Sequence, residues 1–296
     1  MKILCFGSLN LDQVYQVPYF VRPGETMAAT ELNTFCGGKG LNQSIALSRA
    51  GAEVYHAGAV GKADGEVLVE TLERNGVDCK LIRRLSCPTG HAIIQVNNEG
   101  QNCILLFGGA NQQITHEQID ETLSHFAPGD ILVLQNEISH LSYLMESAGK
   151  KGLTIIFNPS PMTPTLQKMP LSYVSYFLLN EVEAKDLCEE DAPDDQYPEL
   201  LLNKYPESHI VLTLGSRGCI YQDKFHKLTI PAKKVKAVDT TAAGDTFSGY
   251  FIAGISAGKS VQQALEEATT AAAISVGRKG ASVSIPTKEE VLQAKF

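Results

Sequence analysis

Short apolar runs alternate along the chain with segments in which apolar residues recur every three to four positions. The apolar runs predict buried strands at residues 1–6, 53–60, 131–135, 154–157, 176–179 and 210–214. The helical periodicity predicts helices at residues 37–50, 65–75 and 140–150, and further helices that begin at Glu181 and after Gly244. Such alternation is typical of a mainly parallel sheet with helices on both faces. We therefore expect a three-layer α/β/α fold.

Two segments break this alternation. Residues 12–35 contain candidate strands at 13–17 and 27–35, separated by a segment with the turn Arg22-Pro23-Gly24. Residues 91–107 contain two more, on either side of Asn97-Asn98-Glu99-Gly100. Asn and Gly favour turns, so both segments are interpreted as antiparallel hairpins. We expect a small sheet of about residues 11–36 and 90–109, a β-lid on a single domain that spans residues 1–296.

Composition and charge exclude several classes of protein. The chain has 296 residues, of which 44% are hydrophobic and 20% charged, which is ordinary for a globular protein. The formal net charge of −8 argues against a general affinity for nucleic acid or anionic membranes. No segment approaches the ~18 continuous apolar residues of a membrane span, and the N-terminal apolar run is too short for a signal peptide. We expect a cytoplasmic protein.

Several common kinds of site are not indicated. The seven cysteines are scattered without a C-x-x-C pair, so we expect buried thiols in a reducing compartment rather than disulfides or a zinc site. There is no P-loop and no G-x-G-x-x-G after the first strand, which removes the main support for P-loop kinases and nicotinamide dehydrogenases. The acidic segment 189–199 is interpreted as a solvated loop.

The run Asp239 to Phe247, DTTAAGDTF, lies where a polar loop meets an apolar helix. Gly244 allows the backbone to approach a ligand closely, and the small side chains of Ala242 and Ala243 leave the N–H groups uncovered. The free N–H groups of a helix that begins here would form an anion site. Asp245, in the first turn, is then placed to accept a proton from an attacking hydroxyl. A simple helix cap is the alternative role for this aspartate.

This run resembles the D-T-x-(A/G)-A-G-D signature of the ribokinase, or PfkB-type, sugar kinase family. A second segment, CGGKGLNQ at residues 36–43, is similar to the family's G-G-K-G-x-N-Q element, and the resemblance extends from the first strand to Pro286. It implies a ribokinase-like fold with a β-lid and ATP-dependent phosphorylation of a primary sugar hydroxyl, with D-ribose as the first choice. Kinases of 2-deoxyribose, fructose or a nucleoside are the alternatives within the family. A sugar-binding sensor without catalysis is the alternative outside enzymes.

The resemblance also implies roles for residues at the sugar site. Asp245 would be the catalytic base, beside the backbone amides of Ala242, Ala243 and Gly244. The residues that would bind the sugar, with Asp245, are Asn10, Asp12, Gly38, Lys39, Asn42 and Glu137. Considered without the family, Asn10 and Asp12 are residues that favour turns, and Glu137 is equally a candidate for a buried structural ion pair.

For the nucleotide and the metal ions, the resemblance implies three groups of residues. The nucleotide would contact Asn180, Thr213, Gly215, Gly218 and Gly244. Glu183 would organise water bound to Mg²⁺. A monovalent cation, K⁺ by preference, would contact Asp239, Thr241, Ser275, the carbonyl of Arg278, Gly280 and Ser284. The local patterns have plainer interpretations too, because Asn180 with Glu183 is a capping box and residues 213–218 fit any strand-turn-strand. Family members often pair through their lids, so a homodimer is expected.

Overall fold

The protein is described here by a computed structural model that covers residues 1–296. The strands are β1 (Ile3–Phe6), β2 (Asn10–Gln16), β3 (Glu31–Gly37), β4 (Val54–Gly61), β5 (Asp78–Leu85), β6 (Gly90–Val96), β7 (Asn102–Phe107), β8 (Ile131–Gln135), β9 (Thr154–Asn158), β10 (Val174–Asn180), β11 (His209–Thr213), β12 (Cys219–Gln222) and β13 (Lys227–Ile230). The helices are α1 (Lys39–Arg49), α2 (Glu66–Arg74), α3 (His116–Ser124), α4 (Leu141–Lys151), α5 (Glu181–Cys188), α6 (Tyr197–Lys204), α7 (Ala243–Ser256), α8 (Val261–Val276) and α9 (Lys288–Gln293). None of these helices has the length and apolar character that a membrane-spanning segment requires.

The main sheet has nine strands in the order β13-β12-β11-β10-β9-β8-β1-β4-β5. Neighbouring strands pair in parallel except at β12, which is antiparallel to both β11 and β13. Because side chains alternate between the faces of a strand, Ile3 and Cys5 of β1 point into one apolar layer and Leu4 and Phe6 into the other. Helices α1, α2, α7, α8 and α9 cover the first face, and α3 to α6 cover the second. The expected α/β/α fold is confirmed.

A separate four-stranded sheet has the order β3-β2-β6-β7. Strands β2 and β3 are antiparallel, β6 and β7 are antiparallel, and the two pairs are joined by parallel pairing of β2 with β6. A small sheet apart from the main one was expected and is confirmed. The strand predicted at 27–35 is wrong in its limits, because Glu31 pairs with Gln16, the last residue of β2. Residues 17–30 therefore form a long connection that contains no strand.

Two further expectations need correction. The acidic segment 189–199 is not a loop throughout, because Tyr197 begins α6 and packs with Leu201 in the second apolar layer. The cysteines are not all buried, since Cys103 lies exposed on the edge strand β7. In both places the tertiary surroundings decide burial, which local composition does not encode.

Helices α1 and α7 approach each other closely at Gly249. A Cβ atom added to this glycine would lie 2.3 Å from the Cβ of Ala46 and 2.8 Å from the backbone nitrogen of Leu47. No side chain fits there without separating the helices. Gly249 therefore sets the distance between the two helices that carry the CGGKGLNQ and DTTAAGDTF segments.

We predict that Gly249→Ala lowers the free energy of unfolding by about 1–3 kcal/mol, the usual effect of overpacking a dense core. Urea unfolding at equilibrium measures this change. Gly277→Ala is a matched control, because an added Cβ would have no neighbour closer than 3.4 Å, and it should change stability little. Equal stability of the Gly249→Ala variant and the wild type would contradict the tight contact.

Candidate active site

Polar residues collect at the carboxyl edge of the main sheet. Strand β4 lies on one side of β1, and β8, which comes later in the chain, lies on the other side. Where the order of strands reverses in this way, a crevice opens beyond the carboxyl ends of the strands. The residues at or just beyond strand ends on this edge are Asn10, Glu137, Asn158, Asn180 and Thr213. This edge is the candidate active site.

Asp245 lies in the first turn of α7 and is 7% exposed. Its Oδ1 accepts a hydrogen bond from Gln43 Nε2 at 2.9 Å, and its Oδ2 accepts one from Asn42 Nδ2 at 3.2 Å. The α7 N-terminus has no side-chain cap. The aspartate is therefore not a helix cap, the alternative that its position alone suggested; its carboxylate is held by two neighbouring amides of α1.

The backbone at the start of α7 is partly free to bind an anion. Ala242 adopts a left-handed conformation with φ of 60°, and the N–H of Ala243 donates to the carbonyl of Thr240 at 3.2 Å. The N–H groups of Gly244 and Asp245 have no acceptor within the chain. A Cβ added to Gly244 would meet nothing within 4 Å, so this backbone faces open space. Of the amides expected to face an anion, that of Ala243 is engaged and that of Gly244 is available.

A cavity of about 250 Å³ lies against this helix start. Among its lining residues are Lys39, Asn180, Glu183, Thr213, Thr240, Ala242, Gly244 and Asp245. It brings together residues expected to serve the nucleotide, Mg²⁺ and catalysis. The size and polar lining suit a phosphate-bearing group at the helix N-terminus.

Lys39 is the positive charge in this cavity, and its ammonium group makes no ion pair or hydrogen bond within the chain. Burial lowers the pKa of Lys39, but the negative charges of Asp245, Glu137 and Glu183 outweigh that effect and raise it. The side chain therefore stays cationic. Lys39 was expected to contact the sugar, and in the fold it lines the cavity at the helix start together with Asp245.

A second cavity, of about 210 Å³, lies between the small sheet and the loops after β7 and β8. Asn10 and Glu137 line it. The amide of Asn111 donates to Asn10 Oδ1 at 2.8 Å, which fixes that side chain and leaves its nitrogen without a partner in the chain. An amide donor held ready in this way is suited to a hydroxyl ligand.

Glu137 is held by donors from β1 and α1. Its Oε2 accepts hydrogen bonds from the Ser8 hydroxyl and, at 3.2 Å, from the backbone N–H of Lys39. Burial raises the pKa of Glu137, and the Ser8 hydrogen bond and the Lys39 charge oppose that rise. No side chain forms an ion pair with it within 4 Å, so the buried ion pair considered as its alternative role is absent. The backbone of Lys39 thus connects the two cavities.

Asp12 on β2 is a carboxyl group without a hydrogen-bond partner in the chain. It packs on Gly37 and is partly buried. Burial and, next, the negative charge of Glu137 raise the pKa of Asp12 to about 7. An unpaired carboxylate in such surroundings is costly to the free protein and is available to a ligand that brings donors.

The residues expected at the nucleotide and magnesium sites have structural roles as well. Asn180 and Glu183 form a complete capping box, with hydrogen bonds of 2.9 and 3.0 Å. Thr213 ends β11 at the cavity and donates to the carbonyl of Leu179 at 3.3 Å. Gly215 and Gly218, with φ of 54° and 98°, form the turn into the antiparallel strand β12. A structural role and a place at the cavity edge therefore coincide for Asn180, Glu183 and Thr213.

The residues expected around a monovalent cation fall into two groups. Asp239 accepts hydrogen bonds from Thr241, at 2.9 and 2.6 Å, and from Gly280 N at 3.0 Å. Although burial raises the pKa of Asp239, these hydrogen bonds outweigh it and lower the pKa. The other group, Ser275 and Ser284, is buried, with the two hydroxyls 2.8 Å apart.

Arg278 lies beside these loops, but its side chain pairs with Glu290 at 2.6 Å. Only its carbonyl is therefore left for a ligand. No group of three or more His, Cys, Asp or Glu side chains is placed to hold a metal ion.

Several residues of the site were not singled out in the sequence. Gln43 was visible within CGGKGLNQ but carried no chemical role by type alone. Ser8, Asn111, Gln135 and Asn158 lie on separate elements, and no local pattern relates them to Asp245 or Asn10. Their place in the site depends on which strand ends are neighbours.

The Asp245 carboxylate stands at a glycine-opened helix start, beside a polar cavity that contains Lys39 and near a second polar cavity. This arrangement is suited to the transfer of a phosphoryl group to an alcohol. Residues 1–288 match the pfkB family carbohydrate kinase, and the chain belongs to that family.

Individual relatives are similar over nearly the whole chain. The ribokinase of Haemophilus influenzae is 35% identical over 294 residues, covering 97% of this chain and 96% of the relative. The deoxyribokinase of Salmonella typhi is 30% identical over 305 residues, covering 98% and 97%. The solved structure of Arabidopsis thaliana ribokinase complexed with ribose and ATP has a TM-score of 0.87 at 28% identity, covering 99% of this chain and 97% of that one.

We predict that Asp12→Asn stabilises the free protein, and that the gain grows with pH. The pKa of Asp12 is about 7 in the folded state and 3.8 for an unperturbed aspartate, so the folded state binds more protons between these values and loses stability as pH rises through that window. The gain above pH 7 should be about 1–3 kcal/mol, typical of a buried polar group left unpaired.

Urea unfolding at pH 5, 6, 7 and 8 measures the effect. Asp195→Asn, at an exposed position, is the control and should give a small, constant difference. A difference between Asp12→Asn and wild type that did not increase with pH would show that Asp12 is not held in an unfavourable ionised state.

Proposed function

We propose that the protein transfers the γ-phosphoryl group of ATP to the primary hydroxyl of D-ribose, which yields ADP and D-ribose 5-phosphate. The observation that carries the proposal is the Asp245 carboxylate, held by Asn42 and Gln43 at the start of α7 beside the larger cavity. The smaller cavity, with Asn10 and Glu137, would receive the sugar. Support for ribose comes from ribokinase relatives and from the Arabidopsis structure with ribose and ATP.

The residues of the chain have complementary roles in this reaction. Asp245 accepts the proton of the primary sugar hydroxyl. The oxygen of that hydroxyl bonds to the γ-phosphorus of ATP, and the bond between the γ-phosphorus and the oxygen of the departing ADP breaks. The N–H groups of Gly244 and Asp245 and the ammonium of Lys39 stabilise the charge on the transferred group. Because Lys39 lies between the cavities, it contacts the phosphoryl group and positions the sugar through its backbone.

The proposed sugar contacts are the groups that lack partners in the free chain. They are the nitrogen of Asn10, the carboxylate of Asp12, the oxygen of Asn42, and the Oε1 atom of Glu137, whose Oε2 is bound by Ser8 and Lys39. Gly38 allows the backbone to approach the sugar. Asn42 Oδ1 is buried without any hydrogen-bond partner. A hydroxyl that filled these places would remove the cost of leaving buried polar groups unpaired.

At the nucleotide site, Asn180, Thr213, Gly215, Gly218 and Gly244 are proposed to contact ATP. Mg²⁺ bound with a nucleotide uses phosphate oxygens, water and few protein carboxylates, and the cavity offers Glu183, which fits that requirement. Glu183 would hold water around the ion, and the ion would neutralise phosphate charge.

A monovalent cation is proposed beside the start of α7, at Asp239, Thr241, Ser275, Gly280 and Ser284, with the carbonyl of Arg278. Asp239 already links the 239–241 and 278–281 loops, and Thr246 of α7 hydrogen-bonds to Ala242 O at 2.8 Å and to Ser275 at 3.4 Å. A bound ion would order the loop that precedes the free amides.

We predict a several-fold higher kcat in K⁺ than in Na⁺ or a bulky organic cation at equal ionic strength, because the ordered loop holds the free amides in place. Steady-state ADP release measures kcat in each salt. Equal rates would contradict this site.

The small sheet is proposed to act as a β-lid on a single-domain enzyme and to pair two subunits. Its edge strands β3 and β7 expose large apolar residues, among them Leu32, Phe35, Ile104 and Leu106, and Leu106 also lines the smaller cavity. Exposed apolar residues on the edge strands of a small sheet are suited to contact with a second subunit. Analytical ultracentrifugation distinguishes a dimer from a monomer.

A cytoplasmic location is proposed as well, since the cytoplasm supplies ATP and keeps the seven thiols reduced. Neither nucleic acid nor membrane is proposed as a partner, given the net charge of −8.

The second candidate function is phosphorylation of another acceptor, favoured by the similarity to a deoxyribokinase. Fructose and nucleosides are further acceptors that the family allows, and a non-catalytic sugar sensor is the alternative outside enzymes. An intact Asp245 beside free amides argues against the sensor. ADP release with ribose, 2-deoxyribose, fructose and adenosine separates these functions, and ribose should give the highest kcat/KM.

We predict that Asp245→Asn lowers kcat at least about 10²-fold while ribose and ATP still bind, because the amide has nearly the same shape but accepts no proton. Steady-state ADP release gives kcat, and calorimetry gives the two affinities. Asp195→Asn, an exposed aspartate far along the chain, should retain wild-type turnover. Turnover near the wild-type value in Asp245→Asn would remove the general-base role, and binding without turnover in the wild type would favour the sensor.

A further inference from the structure

Behind Asp245, two buried glutamines continue the hydrogen bonding into the core. Gln43 Nε2 donates to Asp245 Oδ1 at 2.9 Å, and Gln135 Nε2 donates to Gln43 Oε1 at 2.7 Å. Both glutamines are at most 1% exposed, and neither lines the two cavities. They come from α1 and from the end of β8, at the centre of the main sheet.

The direction of these hydrogen bonds is determined at both ends. An amide presents a donor on one side and an acceptor on the other, so Gln43 gives its N–H to the carboxylate only when its oxygen points at Gln135. The nitrogen of Gln135 faces Gln43 Oε1 and also Cys5 Sγ, at 3.7 Å. If the amide of Gln135 turned over, two oxygen atoms would face each other.

The backbone around Gln135 is shaped to admit its side chain. A Cβ atom added to Gly7 would lie 2.2 Å from Gln135 Oε1 and 2.7 Å from the Cα of Gly40. The absence of side chains at these glycines lets β1 and α1 approach each other with Gln135 between them. Gln135 Oε1 itself has no hydrogen-bond partner, so the glutamine gains its polar contacts only through the donors it supplies.

We propose that Gln135 is a positioning residue for proton transfer, which acts through Gln43 to keep an N–H donor on Asp245 Oδ1. This inference rests on the proposed function of Asp245. The N–H donor favours the ionised carboxylate of Asp245 and fixes the plane of that group. Asn42 occupies one lone pair of Oδ2, and the second lone pair is left to face the acceptor hydroxyl. Without Gln135, the buried oxygen of Gln43 loses its donor, and the Gln43 side chain is no longer held with its N–H on the carboxylate.

The first test is Gln135→Met, which has a similar volume but no donor. At saturating ribose and ATP, kcat should fall roughly tenfold, as expected when a hydrogen bond to a charged group is lost, and the acid limb of the kcat profile should move up by about one pH unit. Both KM values should stay within about twofold. The other titratable groups that act on Asp245, among them Lys39, Glu137 and Cys5, are the same in variant and wild type.

The second test is a double-mutant cycle with Gln43→Met. If Gln135 acts only through Gln43, the double variant should match Gln43→Met in kcat and in its acid limb, whereas independent effects would multiply. Gln43→Asn, which keeps an amide but shortens it, replaces Gln43→Met in the cycle if that variant does not fold. Gln118→Met removes another buried glutamine, one that donates to Gly58 O at 2.8 Å, and should alter stability without moving the pH profile.

The outcomes separate this inference from the proposed function. An unchanged acid limb in Gln135→Met, or multiplicative effects in the cycle, would overturn the positioning role even where Asp245→Asn is inactive. A wild-type protein that releases no ADP with any acceptor would instead overturn the function itself. A shifted limb in Gln135→Met, together with no further effect in the double variant, is the result we expect.

Discussion

The active site depends on one contact between two helices. Asp245 at the start of α7 keeps a buried carboxylate because Asn42 and Gln43 of α1 bring two amide donors to it. Burying a carboxylate without such donors would be strongly unfavourable. The donors reach it only because Gly249 lets α7 pack directly on Ala46 and Leu47 of α1. Core packing and catalytic geometry are therefore the same interaction: a change that separates these helices removes hydrogen bonds from the carboxylate.

Around this carboxylate the protein keeps several polar groups without partners. Lys39, Asp12, Asn10 and the oxygen of Asn42 are not satisfied by the chain, although buried polar groups are usually hydrogen-bonded. The unpaired groups of Asp12, Asn10 and Asn42 lower the stability of the free protein, whereas the charge of Lys39 is favoured by Asp245, Glu137 and Glu183. Grouped at one edge of the sheet, they suit a ligand that carries both hydroxyls and phosphates. The raised pKa of Asp12 is a measure of the cost that the site imposes on the rest of the fold.

The parallel sheet explains why residues from distant parts of the chain meet here. Strands β1, β8, β9, β10 and β11 all end at one edge, so each delivers a polar residue to the same crevice. The small sheet begins immediately after β1, which places Asn10 and Asp12 above that crevice. Gly7 and Gly40 lack side chains where the end of β1 and the start of α1 come closest, and this closeness allows Glu137 to bind both Ser8 and the backbone of Lys39.

Sequence by itself determined the alternating fold, the two segments of the small sheet and the motifs that contain Asp245 and Lys39, because periodicity and local motifs are properties of neighbouring residues. It did not determine the start of β3, which depends on where β2 ends, or the burial of Tyr197 and exposure of Cys103, which depend on neighbouring elements.

The sequence also left open whether Asp245 was only a cap and whether Asn180 and Glu183 were more than a capping box. The structure settled the first question by bringing α1 against α7, and for the second it showed the capping box at the cavity edge. The amides of Asn111, Gln43 and Gln135 joined the site only in the folded chain, since hydrogen bonds between residues about 100 positions apart are decided by strand order and helix packing, not by local sequence.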